Sequence, residues 1–527
     1  MMQKHVICAA LVLAAASTTP ASPPNIIVVL ADDLGWSDIG CYGGEIPTPH
    51  IDKLAAGGLR FKQFYNNAVC GPTRAALLTG LHCQQIGHSG ANWNEATDFR
   101  KCVSVGEVLQ TSGYRTLMVG KWQERDLPAK RGFDRFFGPM CAGKISYFNE
   151  VHLNPFYLDE ARWNFPDKDF SMTDAFTDHA VRFVEEAVKP SEKKPFFLYL
   201  AYVAPHWPLH AKEEEITPHR KRYRDHGWDY WREQRHKRQG EMGLVPGEWK
   251  PSPRPASVHE WKSDKFLEWQ AERMAVYAAQ VTSIDRGVGQ VMEAVRKAGV
   301  ADNTLVLFLS DNGAAPNGEV IPTDLGFGFG PKAKNDVWRL DGVAIKPGSG
   351  PKNLPGPADT FAAYGLGWAT TSNTPFRSTK MYAYEGGIRT PLIACWPALI
   401  RKGGELTNQP GHVVDIMATC LDVAGAKYPT EFNSRQPLPM EGKSLKPIFR
   451  GEERPPHEAL YWNAPNNQAI RMGDWKLVNA TRGKPWELYD LNTDGTETTD
   501  LAEKHPERVK EMSAKWLTWA KKYGVER

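Results

Sequence analysis

After its first twenty residues the sequence has no apolar run long enough to cross a bilayer, and it has no CxxC spacing, no internal repeat and almost no net charge. Each absence excludes something. A chain without a long uncharged stretch is not expected to span a membrane. Eight cysteines with none of the regular spacing of zinc sites argue against a zinc ribbon or finger. A formal charge of +3, from 64 Lys and Arg against 61 Asp and Glu, gives no bulk attraction for nucleic acid, so any preference for anions must be local. Hydrophobic residues at 41% and charged residues at 24% are ordinary for a folded globular protein. At 527 residues the chain exceeds what one core serves, which predicts a large domain and a smaller companion.

Lys4 and His5, the apolar run Val6 to Ala16, and the small residues through Thr18, Thr19, Pro20 and Ala21 read as a secretory signal peptide over residues 1–21. The expected mature protein starts near Ser22 and is secreted or periplasmic. That compartment permits a disulfide among Cys41, Cys83, Cys102, Cys141, Cys395 and Cys420, with Cys83 and Cys102 the nearest pair in sequence.

Asn25 to Ala31 is a continuous β-branched run ending at Asp32 and Asp33, the pattern of a buried strand with two carboxylates at its carboxyl edge. Pro195 to Ala201 runs likewise into Pro205 and His206, and Thr304 to Leu309 into Ser310, Asp311 and Asn312. Between them, Thr173 to Val188 and Phe266 to Ala298 carry apolar residues at helical spacing. Such alternation predicts an α/β fold: a large mixed, mostly parallel sheet sandwiched by helices, with ligands beyond the strands' carboxyl ends. All three polar clusters fall at those ends. Asp311 to Thr379, rich in Gly, Pro and Asn, reads as a long irregular excursion over that face. A catalytic domain is expected over residues 22–430. Over 431–527, short strands within Ala469 to Val478 and Glu487 to Leu491 and a helix from His505 to Lys522 predict a C-terminal antiparallel sheet plus helix. The charged, aromatic segment Lys221 to Lys262 interleaves acids with bases, which reads as a solvated helix beside the active face.

Cys70-Gly71-Pro72-Thr73-Arg74 opens an apolar helix with Pro just inside it, where the dipole acidifies a thiol. Cys-x-Pro-x-Arg in that setting resembles the signature of the sulfatases, whose cysteine a maturation enzyme oxidises to formylglycine. The resemblance extends through Ala31-Asp32-Asp33-Leu34-Gly35, Gly120-Lys121-Trp122, Ala204-Pro205-His206, Ser310-Asp311-Asn312-Gly313 and Tyr384-Glu385-Gly386-Gly387-Ile388-Arg389. Gly227-Trp228-Asp229, Ser252-Pro253-Arg254-Pro255 and Ser372-Asn373-Thr374-Pro375-Phe376-Arg377 further look like the bacterial arylsulfatase branch.

The resemblance implies an alkaline phosphatase-like fold and hydrolysis of sulfate monoesters by the hydrated aldehyde of position 70. Asp32, Asp33, Asp311 and the amide oxygen of Asn312 form an all-oxygen set suited to calcium, with the modified Cys70 as a further ligand; magnesium fits a smaller cavity. By resemblance, Arg74 orients the hydrate, Lys121 and Lys380 clamp sulfate oxygens, and His206, with Lys380, protonates the departing alcohol. Where sulfatases commonly read Gly-Lys-Trp-His, this chain has Gln123, which lines the same place and cannot titrate. The missing base costs on the order of 10²–10⁴ in rate unless His88, His210 or Asp126 substitutes, so breakdown of the sulfated intermediate is expected to limit turnover. The expected substrate is a sulfated small molecule or polysaccharide. Two other readings stay open: a phosphomonoester or phosphonate ester hydrolase of the same fold, and a non-catalytic protein that binds sulfated glycans.

Overall fold

The structure, a computed structural model, describes residues 22–525 except 93–94, 141–146, 149–154, 166–169, 190, 192–193, 318–345, 347–349, 480 and 482. The proposed signal peptide, Cys141 and most of the 311–379 excursion's first half lie outside the described residues.

Among the described residues, eleven strands form one mixed sheet: β1 (Asn25–Ala31), β2 (Leu59–Tyr65), β3 (Arg115–Gly120), β4 (Arg135–Pro139), β5 (Phe156–Leu158), β6 (Ala161–Arg162), β7 (Phe196–Ala201), β8 (Thr304–Ser310), β9 (Arg389–Cys395), β10 (Glu405–Thr407) and β11 (Gly411–His412). Their order is β10-β2-β9-β8-β1-β7-β3-β4-β5-β6, with β11 also on β2. The central strands β8, β1, β7, β3 and β4 are parallel, whereas β9 runs antiparallel between β8 and β2. In register, Ala31 faces Ser310, and Leu30 and Gly120 both face Ala201. The residues that follow β8, β1 and β3 therefore leave the sheet at one level.

Every residue of β1 after Asn25 is buried, because both sheet faces are covered. Ile27 and Val29 join a core with the helices Met172–Ala187 and Leu267–Lys297, while Ile26, Val28 and Leu30 join one with Cys70–Thr79 and Val414–Ala424. Strand alternation sends successive side chains to opposite faces, so a continuous apolar run is what a doubly covered strand needs. The described part of the 311–379 excursion contains the helix Gly365–Ser372, so it is less irregular than its composition suggests.

A second, antiparallel sheet has β12 (Leu460–Asn463), β13 (Gln468–Met472), β14 (Trp475–Asn479) and β15 (Trp486–Asp490) in sequential order. One face packs Ile470, Leu477 and Leu488 on Met512, Trp516 and Trp519 of the helix Pro506–Lys522. The other packs Trp462, Ala469, Val478 and Tyr489 on Tyr65, Ala68, Tyr384 and Ile388 of the large domain.

Segment 221–262 departs from expectation. It contains the end of one helix, Glu213–Asp225, and a second, Trp228–Glu241, whose Trp228, Arg232, Arg235 and Gln239 are buried. Their spacing of four, three and four is one helical face. That face is polar, so hydropathy hid it. Arg235 is fully buried and is neutralised by Asp38 at 2.7 Å and Glu45 at 2.7 Å. Cys41, Cys70, Cys83, Cys102, Cys395 and Cys420 are all free thiols, so the permitted Cys83–Cys102 bridge is not formed; Cys102 Sγ lies 3.6 Å from the Asp98 carbonyl instead.

Candidate active site

Four neighbouring parallel strands deliver their following residues to one place: Asp32 and Asp33 after β1, Lys121 after β3, His206 shortly after β7, and Asp311 and Asn312 after β8. Asp33 turns the chain with φ 66°, a conformation Asp tolerates better than most residues. Its N–H donates to Asp311 Oδ1 at 3.2 Å, and the next N–H, of Leu34, donates to Ser310 Oγ at 3.1 Å. Gly120 leaves β3 at φ 104°, and a Cβ there would sit 1.9 Å from the Ala201 carbonyl oxygen. Only glycine fits, and it aims Lys121 inward.

Cys70 is the first residue of its helix, 6% exposed, behind the extended Val69. One turn on, Arg74 donates through Nε and Nη2 to Asp311 Oδ2 at 3.0 and 2.8 Å, and its Nη1 donates to the Lys121 carbonyl at 3.2 Å. Lys121 Nζ lies 2.6 Å from Asp32 Oδ2, and Lys380 Nζ 2.5 Å from Asp33 Oδ1. Asn312 Nδ2 donates to the same Asp33 oxygen at 2.6 Å. His206 Nδ1 is 2.5 Å from the Trp207 carbonyl, which fixes the neutral ring's proton on Nδ1 and turns Nε2 toward Asp33 Oδ2 at 3.5 Å.

The charges set one another. Burial alone would push the Asp32 carboxyl up, but Lys121, then His206, Arg74 and Lys380, outweigh it and hold the group well below the usual range. Asp311 is pushed up to about 6 by burial and by Asp32, against Arg74 and Lys121. Burial works against the charged forms of Lys121 and Lys380, yet Asp32 and Asp33 respectively hold them firmly protonated. Burial lowers His206, with Asp33 and Asp32 opposing.

A metal ion fits the donor set. Asp32 Oδ1, Asp33 Oδ2 and Asn312 Oδ1 are buried oxygens without a hydrogen-bond partner. Asp32, Asp33 and His206 each offer a ligand atom within 4.8 Å of one another. With Asp311 alongside, oxygen dominates, which suits a hard cation such as calcium or magnesium over zinc.

All ten residues singled out from the sequence thus gather here, apart from direct contacts of Cys70 with the carboxylates. Gln123, at φ 66°, donates from Nε2 to Cys70 Sγ at 3.3 Å. The three stand-ins for the absent histidine are committed elsewhere: His88 Nε2 to Thr97 Oγ1 at 3.3 Å, His210 Nε2 to the Thr360 carbonyl at 2.7 Å, and Asp126 to Arg131. Sequence reasoning missed Asp38. Its Oδ2 accepts from Gly35 N at 2.8 Å and Tyr277 OH at 2.6 Å, and Oδ1 from Arg235, which pins the turn that carries Asp33. No spacing rule marks a carboxylate whose partners lie some 200 and 240 residues away.

A mixed, mostly parallel sheet with a buried cluster of carboxylates and cations at its carboxyl edge is the architecture of an alkaline phosphatase-like hydrolase, and comparison narrows it. The sulfatase family profile matches residues 24–426, and that of the N-sulphoglucosamine sulphohydrolase C-terminal region matches 378–521. An uncharacterized sulfatase of Schizosaccharomyces pombe is 31% identical over 95% of this chain and 94% of its own. An arylsulfatase of Klebsiella aerogenes is 31% identical, covering 81% of this chain and 92% of its own. The crystal structure of Ps i-CgsB in complex with k-i-k-neocarrahexaose superposes with a TM-score of 0.66 at 26% identity, over 95% of this chain and 93% of that one. The chain belongs to the sulfatase family and is a sulfatase enzyme.

Proposed function

We propose that the chain hydrolyses sulfate monoesters with formylglycine made from Cys70 and calcium held by Asp32, Asp33, Asp311 and Asn312, that it is exported, and that its natural substrate is a sulfated carbohydrate. The observation that carries this is the meeting of Cys70, at a helix start beside Arg74 and Gln123, with three cations set over carboxylates whose free oxygens converge. The arylsulfatase relative supports the reaction class, and the neocarrahexaose bound by Ps i-CgsB supports the carbohydrate.

Formylglycine formed at position 70, hydrated beside Arg74 and Gln123, would supply the hydroxyl nucleophile toward sulfur and a second hydroxyl through which the aldehyde could be regenerated. Bound calcium supplies Lewis acidity, lowering the hydroxyl's pKa and offsetting charge on sulfuryl oxygens. Arg74 holds Asp311 and the Lys121 backbone in place. Lys121 and Lys380, kept protonated by the carboxylates, present fixed positive charge to the sulfate in a dry site, where such stabilisation is largest. Protonation of the departing alcohol falls to His206 from Nε2, which requires the imidazolium, or to Lys380. Gln123 can hold a hydroxyl at position 70 by hydrogen bonding but cannot take its proton.

Protein co-produced with a maturation enzyme should hydrolyse 4-nitrophenyl sulfate, lose activity to a chelator and regain it with calcium. Preference for 4-nitrophenyl phosphate, or binding of sulfated glycan without hydrolysis, contradicts the reading.

A further inference from the structure

The aromatic and charged segment around residues 221–262 does more than brace Asp38 through Arg235. At the start of the helix Trp228–Glu241 lies a cavity of about 460 Å³, within the range of small-molecule sites. Its wall is aromatic. His226 and Tyr230, both exposed, stack with ring centroids 3.9 Å apart and planes 17° apart. Trp261 closes another side, standing edge-on to Trp228 at 4.7 Å. These faces are fixed in place. Gly227 lets Trp261 sit on the backbone, since a Cβ at 227 would lie 1.8 Å from the indole, and Trp261 N donates to Asp229 Oδ2 at 2.8 Å. The polar rim is fixed too: Arg254 lies 2.9 Å from Asp229 and 3.7 Å from Glu260.

We infer that this cavity is a saccharide subsite that takes an unsulfated pyranose unit. Flat amphipathic rings match the apolar face of a sugar ring, and carboxylates bridged by a guanidinium offer acceptors and donors to its hydroxyls. The lining offers sulfate no excess of positive charge: Asp225, Asp229 and Glu260 stand against Arg254 and Lys262, and Asp225 is itself paired with Lys221 at 2.5 Å, which favours an unsulfated unit. The subsite also shares a rigid frame with that centre. Arg235 lies seven residues, roughly 10 Å, along the same helix from Trp228 and pairs with Asp38.

This inference rests on the carbohydrate reading above, and calorimetry on the full-length enzyme separates the two. The probes are unsulfated neoagarohexaose, cellohexaose and mannohexaose, with a carrageenan hexasaccharide as the sulfated counterpart. At least one unsulfated probe should bind the wild type, and Tyr230→Ala and His226→Ala, both at exposed positions, should each weaken it at least tenfold with an unchanged melting temperature. Binding of no unsulfated probe, or affinity indifferent to both substitutions, overturns the subsite. An effect of the substitutions confined to the sulfated probe overturns it as well. Hydrolysis of 4-nitrophenyl sulfate without probe binding sinks the subsite alone, whereas Tyr230-dependent binding without hydrolysis of any sulfate ester sinks the catalytic reading alone.

Discussion

Among the buried charge clusters of the described residues, the one at the junction of the two sheets and the one at the carboxyl edge of the large sheet are finished differently. At the junction of the two sheets, Lys476 Nζ sits between Glu385 Oε1 at 2.8 Å and Glu497 Oε1 at 2.7 Å, all fully buried. The other Glu385 oxygen accepts from Tyr65 OH at 3.0 Å and Arg389 Nη1 at 3.1 Å, while its N–H donates to Glu497 Oε2 at 2.7 Å. Both Glu385 oxygens and its amide are used within the protein. Glu497 Oε1 has no hydrogen bond but is matched by the Lys476 ion pair, whereas at the carboxyl edge of the large sheet three buried oxygens without a hydrogen-bond partner gather in one place, Asp32 Oδ1, Asp33 Oδ2 and Asn312 Oδ1. Burying such groups costs several kcal/mol unless something completes them. The first, closed cluster joins the two sheets, and the second, open one has the oxygens that a bound ion would complete.

The comparison can be broken by substitution on either side. The largest effect is expected at the open cluster: Asp311→Asn should lower turnover of 4-nitrophenyl sulfate by at least about 10³-fold and weaken calcium binding, while the metal-free protein keeps its melting temperature within a few degrees. Activity within tenfold of wild type would merge the two clusters into one structural role. Lys476→Met should do the opposite, leaving two carboxylates uncompensated and destabilising by about 3–5 kcal/mol in urea unfolding, with the rate per folded molecule nearly unchanged.

Gln123→His should sharpen the account of the open cluster. If breakdown of the sulfated intermediate is limiting, the wild type shows a burst of 4-nitrophenol, and the substitution removes it while raising the steady rate by roughly 10–100-fold. No burst and no gain would place the slow step elsewhere.

The smallest effect concerns pH at the closed cluster. Burial pushes Glu497 up to about 7, with Lys476 opposing and Glu385 adding. A carboxyl raised on folding binds more protons in the native state, so its contribution falls as pH rises from about 4.5 to 7. Glu385 shifts the other way, downward, so its own contribution changes below that window. Urea titrations should show about 2 kcal/mol lost across the interval, and Glu497→Gln should flatten the slope.

The sequence made the catalytic edge legible for a physical reason. A strand covered on both faces must be apolar throughout, so Asn25–Ala31 and Thr304–Ser310 stand out, and the charges that end them mark the edge. The roles of Lys121, Lys380 and Gln123 came from resemblance, since a lone lysine or glutamine carries no pattern. Strands β2 and β9 were not legible: LRFKQFY mixes charge into its alternation, and β9 follows a glycine pair with no turn signal of its own. The buried face of Trp228–Glu241 was hidden because Arg232, Arg235 and Gln239 fill positions where apolar residues are expected, and the partners of Arg235 and Gln239, within residues 37–45 and 371–374, are distant in sequence.

The proposed chemistry depends on what position 70 becomes. Mass spectrometry of the peptide containing it, from enzyme active on sulfate esters, is predicted to show the thiol-bearing CH₂SH replaced by CHO, with the aldehyde trapped by a hydrazide reagent. An intact cysteine in fully active enzyme would contradict it.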